Sequence, residues 1–121
     1  MSINIKNGTI ITQNKTRDIL KGSIYIDDYR INEISKNPIS LEADYEIDAT
    51  GQMIIPGLIN THTHLPMTLL RGYGDDMVLS EWLEKRIWPV EAKLTEDTVK
   101  TGAELGLMEM MKSGTTTFFD M

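Results

Sequence analysis

Apolar and polar positions alternate along the first 55 residues, in short runs separated by turn residues. Ile3-Asn4-Ile5 and Thr9-Ile10-Ile11-Thr12 flank Asn7-Gly8. Gly22-Ser23-Ile24-Tyr25-Ile26 and Arg30-Ile31-Asn32-Glu33-Ile34 lie on either side of a tight acidic turn at Asp27-Asp28-Tyr29. Tyr45-Glu46-Ile47-Asp48 alternates again before a turn at Ala49-Thr50-Gly51. A period of two is the mark of strands with one buried face, so residues 1–55 are expected to form a small antiparallel β-sandwich unit. No residue in this stretch suggests chemistry.

The pattern changes at Pro56. Gly57-Leu58-Ile59-Asn60-Thr61 is a short, mostly apolar run of the kind buried on both faces of a parallel sheet. Ser80 is placed to cap a helix over Glu81–Trp88, with Leu79, Trp82, Leu83 and Ile87 on one stripe and Pro89 ending it. Thr95 caps a longer helix, with Glu96 and Asp97 where the helix dipole favours acids. Its apolar face carries Val99, Ala103, Gly106, Leu107, Met110 and Met111, and Lys112 with Gly114 marks its end. Thr115-Thr116-Thr117-Phe118-Phe119 is β-branched and aromatic, hence a second strand. Strand, helices, strand is a βαβ unit and implies a parallel sheet. The chain stops at Phe118-Phe119-Asp120-Met121, inside or just past that strand. Two parallel strands cannot cover their own faces or edges. The expected fold class is therefore α/β, with residues 56–121 the first β/α units of a truncated parallel-sheet domain. Uncovered edges also predict a homo-oligomer.

Composition removes several function classes. Twelve basic against 18 acidic side chains leave a formal charge of −6, which repels phosphate backbones and anionic lipid. Nucleic acid and membrane are therefore not expected as partners. Apolar runs are far shorter than the roughly 20 residues that span a bilayer, and no basic start leads into an apolar signal segment. The expectation is a cytoplasmic protein. Cysteine is absent, so neither disulfides nor thiolate ligands arise within the chain.

The chemistry gathers at Thr61-His62-Thr63-His64, which holds both histidines of the chain. Residues two apart on a strand point to the same side, so both imidazoles reach one metal ion. A bare His-x-His is short enough to be two surface histidines. Its position after Pro56-Gly57 and an apolar strand, at the strand end where barrels carry their catalytic groups, favours the metal. Catalytic zinc takes three protein ligands and a water, and no third histidine exists here. No acid/base residue is assigned within this chain.

Pro56-Gly57-Leu58-Ile59-Asn60-Thr61-His62-Thr63-His64 resembles the opening of the amidohydrolase superfamily barrel, where His-x-His ends the first strand. Leu65–Gly72, Asp75-Asp76, Glu81-Trp82-Leu83, Ile87–Leu94 and Ser113–Thr117 look like the branch of 5′-methylthioadenosine/S-adenosylhomocysteine deaminases, grouped with the triazine chlorohydrolases. One departure is Tyr29, where relatives often carry Gly after Asp in the hairpin; it bears on the turn type and not on the function.

The resemblance implies that His62 and His64 bind one divalent metal ion, zinc before others. It implies that Trp82 lines a nucleoside pocket and that Glu91 accepts hydrogen bonds from ribose hydroxyls. An indole offers a flat face to a purine, and a carboxylate accepts two hydroxyl donors. By the residues alone Trp82 is better explained by helix packing beside Leu79 and Leu83, and Glu91 by a solvated surface position. Asp75 and Asp76 are read as loop or capping residues, and Met110 and Met111 as core. The implied reaction is hydrolytic deamination of an adenosine-type nucleoside: water activated at the metal attacks the amino-bearing carbon and ammonia leaves. The remaining ligands and the acid/base carboxylate are expected beyond residue 121, so this polypeptide alone is expected to be inactive. Alternatives are a triazine-type chlorohydrolase or guanine deaminase of the same superfamily, or a naturally short metal-binding or interaction module.

Overall fold

A computed structural model describes residues 1–121, which divide into two compact units, Met1–Pro56 and Gly57–Met121. No helix in either is long and apolar enough to cross a membrane.

The first unit is one five-stranded sheet. Its strands are β1 (Ser2–Ile11), β2 (Ile19–Asp27), β3 (Arg30–Ser35), β4 (Tyr45–Asp48) and β5 (Met53–Ile54). The order is β3-β2-β1-β4, with β5 also on β1. β1 pairs antiparallel with β2, and β2 with β3, but β4 and β5 lie parallel to β1. The expected antiparallel β-sandwich unit is thus corrected to a single mixed sheet. The cause is the connection through residues 36–44, which leaves one edge of the sheet at β3 and returns to the other edge beside β1. Along it Ile39 is buried, and its carbonyl accepts a 3.1 Å bond from the Asn4 amide. β4 then pairs with the first half of β1 and β5 with the second half.

Asn7-Gly8 also proves to be no turn. β1 is continuous, and its register against β2 slips between Ile5 and Gly8, where Asn7 takes a positive φ of 63°. Asparagine tolerates this left-handed conformation better than most residues, so the extra residue becomes a bulge. In the β2–β3 hairpin the positive φ falls on Asp28, not Tyr29, so Tyr29 needs no glycine.

The second unit holds β6 (Leu58–Thr63) and β7 (Thr115–Asp120), paired in parallel as the strand–helix–strand pattern requires. Between them lie a 3₁₀ helix (Leu65–Leu70), α1 (Leu79–Trp82), a π-helical turn (Leu83–Ile87), α2 (Trp88–Glu91) and α3 (Glu96–Lys112). Two expectations fail here. Ser80 does not cap; the helix starts at Leu79, two residues earlier than expected, after Val78 and without a side-chain cap. Pro89 does not end the helix but sits in the first turn of α2. Proline lacks an N–H and its ring clashes with the carbonyl four residues back. The wide π turn just before it, where the Trp88 N–H reaches Leu83 O, takes up that misfit.

α3 begins as expected. Thr95 and Thr98 form a reciprocal capping box, and Gly114 follows the helix at φ +82°. Gly102 and Gly106 are buried on its face against the 3₁₀ helix. A Cβ on Gly102 would stand 2.4 Å from the Pro66 carbonyl oxygen, so only glycine permits this approach. A fork of two hydrogen bonds, 3.1 and 2.9 Å, from Arg71 to Glu109 adds a tie between the same elements. Leu65 and Ile87 are the buried apolar side chains of this unit. Met111, expected in the core, is exposed.

Candidate metal centre

His62 lies in the last turn of the pleat of β6, and His64 immediately follows the strand. Their imidazole rings stand together, with centroids 5.1 Å apart and planes at 74°. A tetrahedral ion holding two imidazole nitrogens at about 2.0–2.1 Å would set the ring centroids about 5 Å apart, so the pair fits a shared divalent metal. No Asp, Glu or third His joins them in a cluster of three.

The strand end is not a plain pleat. Asn60 pairs with Phe118 and Thr63 with Asp120, so β6 carries one more residue than β7 across the interval that includes His62. A bulge of this kind re-aims side chains, and such bulges gather next to active sites. The His62 N–H donates to Asn60 Oδ1 at 3.2 Å within the same stretch. On the far side of His64, the Leu65 N–H donates to Asp120 Oδ1 at 2.8 Å. The sequence reading assigned Asp120 no role. Its one signal was position: ending the second strand of a βαβ unit puts it beside the end of the first.

Trp82 is half-buried, and its indole N–H donates to the Tyr73 carbonyl at 3.1 Å. The Arg86 guanidinium lies 5.7 Å from the Tyr73 ring centroid, and Gly74 leaves room for both Trp82 and Arg86. The indole is therefore held against the 73–74 turn by its edge, and a ring held in that way keeps its orientation. Glu91 closes α2 with an exposed carboxylate. Asp75 and Asp76 lie in the preceding turn, Asp76 at φ 60°, as loop residues.

Comparison with known proteins gives consistent matches. The model of the amidohydrolase family matches residues 53–121. A 5-methylthioadenosine/S-adenosylhomocysteine deaminase of Thermococcus kodakarensis is 53% identical over 121 residues, all of this chain and 28% of that protein. A 5′-deoxyadenosine deaminase of Methanosarcina mazei is 51% identical over 118 residues, 97% of this chain and 27% of that protein. Among solved structures, an adenosine deaminase from Xanthomonas campestris with bound zinc has a TM-score of 0.90 at 30% identity. It is covered over 98% of this chain and 28% of its own. The atrazine chlorohydrolase from Arthrobacter aurescens complexed with zinc has a TM-score of 0.87 at 28% identity, with the same coverage. The chain spans little more than a quarter of the length of these relatives.

Proposed function

Because the chain belongs to the amidohydrolase family, we propose that it is the part of a metal-dependent (β/α)8-barrel hydrolase that deaminates an adenosine-type nucleoside. S-adenosylhomocysteine, 5′-methylthioadenosine and adenosine are the substrates in view. The observation that carries the proposal is the pairing of the His62 and His64 rings at 5.1 Å at the end of β6. The identity of about half to deaminases of such nucleosides over the whole chain supports the substrate class.

In this reading His62 and His64 hold a divalent ion, most simply zinc. When bound, such an ion supplies the positive charge that makes water acidic near neutral pH. The residues of this chain orient the rest. The bulge at Thr61-His62 and the bond from Leu65 to Asp120 set the two imidazoles side by side. Trp82, its N–H already committed to Tyr73, presents a ring face for stacking on a purine. Glu91 offers an exposed carboxylate to two ribose hydroxyls. Two Trp82 substitutions separate stacking from packing: Trp82→Phe retains a ring face, whereas Trp82→Ala removes it.

A second reading, triazine dechlorination, rests on the structural likeness to the atrazine chlorohydrolase. The lower identity there, 28% against 53%, places it behind. The test is product release by the full-length protein. Ammonia from S-adenosylhomocysteine or 5′-methylthioadenosine is expected. Chloride from a chlorotriazine without ammonia from any nucleoside, or ammonia from guanine alone, would replace this reading. A cytoplasmic homo-oligomer belongs to the same proposal. In the 121-residue polypeptide on its own, exposed Ile59 and Phe119 on the two paired strands support association, which light scattering across a dilution series would detect.

A further inference from the structure

We propose that Asp120 is a positioning residue that fixes the backbone around His64 so that its imidazole meets that of His62 at one ion. The inference rests on the reading of both histidines as metal ligands.

His64 leaves β6 at φ −130°, ψ 75°, and the 3₁₀ helix that follows has no side-chain cap of its own. The first N–H groups of a helix lack internal partners. Pro66 has no N–H to satisfy, so the Leu65 N–H is the donor that needs an acceptor directly after His64. Asp120, from the neighbouring strand, supplies it at 2.8 Å. The next residue closes the other side, since the Met121 N–H donates to Thr63 O at 3.1 Å. The His64 carbonyl itself accepts from the Met67 N–H at 3.0 Å. Three of the four peptide N–H and C=O groups flanking His64 are thus bonded, two of them by the end of β7. Leu65 is buried and Asp120 exposed, so the bond between them is part-buried.

His64 stands one residue beyond the regular strand, where the pleat no longer dictates its direction. Outer partners that orient a metal ligand change metal affinity about 10–100-fold when removed.

The experiment uses the full-length protein loaded with zinc, and with Co(II) as a spectroscopic probe. Wild type is compared with Asp120→Ala and Asp120→Asn in chelator competition and in the visible Co(II) spectrum. Asp120→Asn keeps an oxygen acceptor and is expected to stay close to wild type in both. Asp120→Ala is expected to bind zinc about 10–100-fold more weakly with an altered Co(II) spectrum. Should the alanine protein not fold, Asp120→Ser, too short to reach the Leu65 N–H, repeats the comparison. Unchanged affinity and spectrum in the alanine or serine protein would overturn the positioning role. So would an asparagine variant as impaired as alanine, which would point to charge. Wild type that binds neither ion would overturn the metal reading itself, and this inference with it.

Discussion

Gly102 sits where α3 meets the 3₁₀ helix that begins right after His64. Alanine there would place a Cβ 2.4 Å from the Pro66 carbonyl oxygen and 3.0 Å from Pro66 Cα and C. These are backbone atoms, which cannot rotate away, so the two elements must separate by most of an ångström. Two effects oppose each other. Alanine gains about 0.8–1.0 kcal/mol of helix propensity over glycine. Forcing a methyl into a packed contact costs about 1–3 kcal/mol, and a rigid backbone neighbour puts this case at the upper end. The net expectation is a loss of about 2 kcal/mol. Urea unfolding of wild type and Gly102→Ala measures it, with Glu104→Ala on the exposed side of the same helix as control. The control is expected within about 0.5 kcal/mol of wild type. Gly106→Ala should be milder, because its Cβ would meet the Leu65 Cδ2 methyl at 2.6 Å and Thr68 Oγ1 at 3.0 Å, both side-chain ends able to shift. A Gly102→Ala protein more stable than wild type by the propensity gain would refute the close approach and the packing that seats the 3₁₀ helix.

Zinc binding by the chain should be weak and should disappear in His62→Ala and His64→Ala; titration that finds the double mutant unchanged would remove the two-ligand site. By itself the 121-residue polypeptide should release no ammonia from S-adenosylhomocysteine, since no carboxylate or third histidine joins the pair; chelator-sensitive release by the purified chain would contradict this. Thr95→Ala should lower stability by about 1 kcal/mol through loss of the capping box, read by the same urea experiment. Acid should weaken the sheet unit. The Ser2 N–H and hydroxyl hold the Asp44 carboxyl below its usual range, and the Thr50 hydroxyl, Asn7 amide and Thr50 N–H do so for Asp48. A depressed folded value means stabilisation that is full above the unfolded carboxylate value of about 3.9 and is lost as pH falls through the folded one. Unfolding followed from pH 6 downward should show the loss below about pH 4, reduced in Asp44→Asn and Asp48→Asn; identical acid profiles in all three proteins would show that these bonds do not couple to folding.

Where a residue's role depends on its near neighbours, it was legible in the sequence. The alternation around Ile24 and the run at Leu58 read as strands because side-chain direction in a strand follows period two. Thr95 read as a helix cap because a hydroxyl reaches an N–H three residues on. His62 and His64 read as a pair from the same period of two, although His64 stands one residue past the strand and a register shift precedes it. What the tertiary structure decided involves partners distant along the chain. β4 and β5 run parallel to β1 because the segment through Ile39 crosses to the far edge, which no local propensity encodes. Pro89 stays helical because a π turn upstream absorbs its missing donor. Gly102 matters because Pro66 packs on it, and Asp120 because the parallel pairing of β7 with β6 carries its carboxylate to the N–H after His64. Backbone pairing and close packing set those distances, and they exist only once the chain has folded.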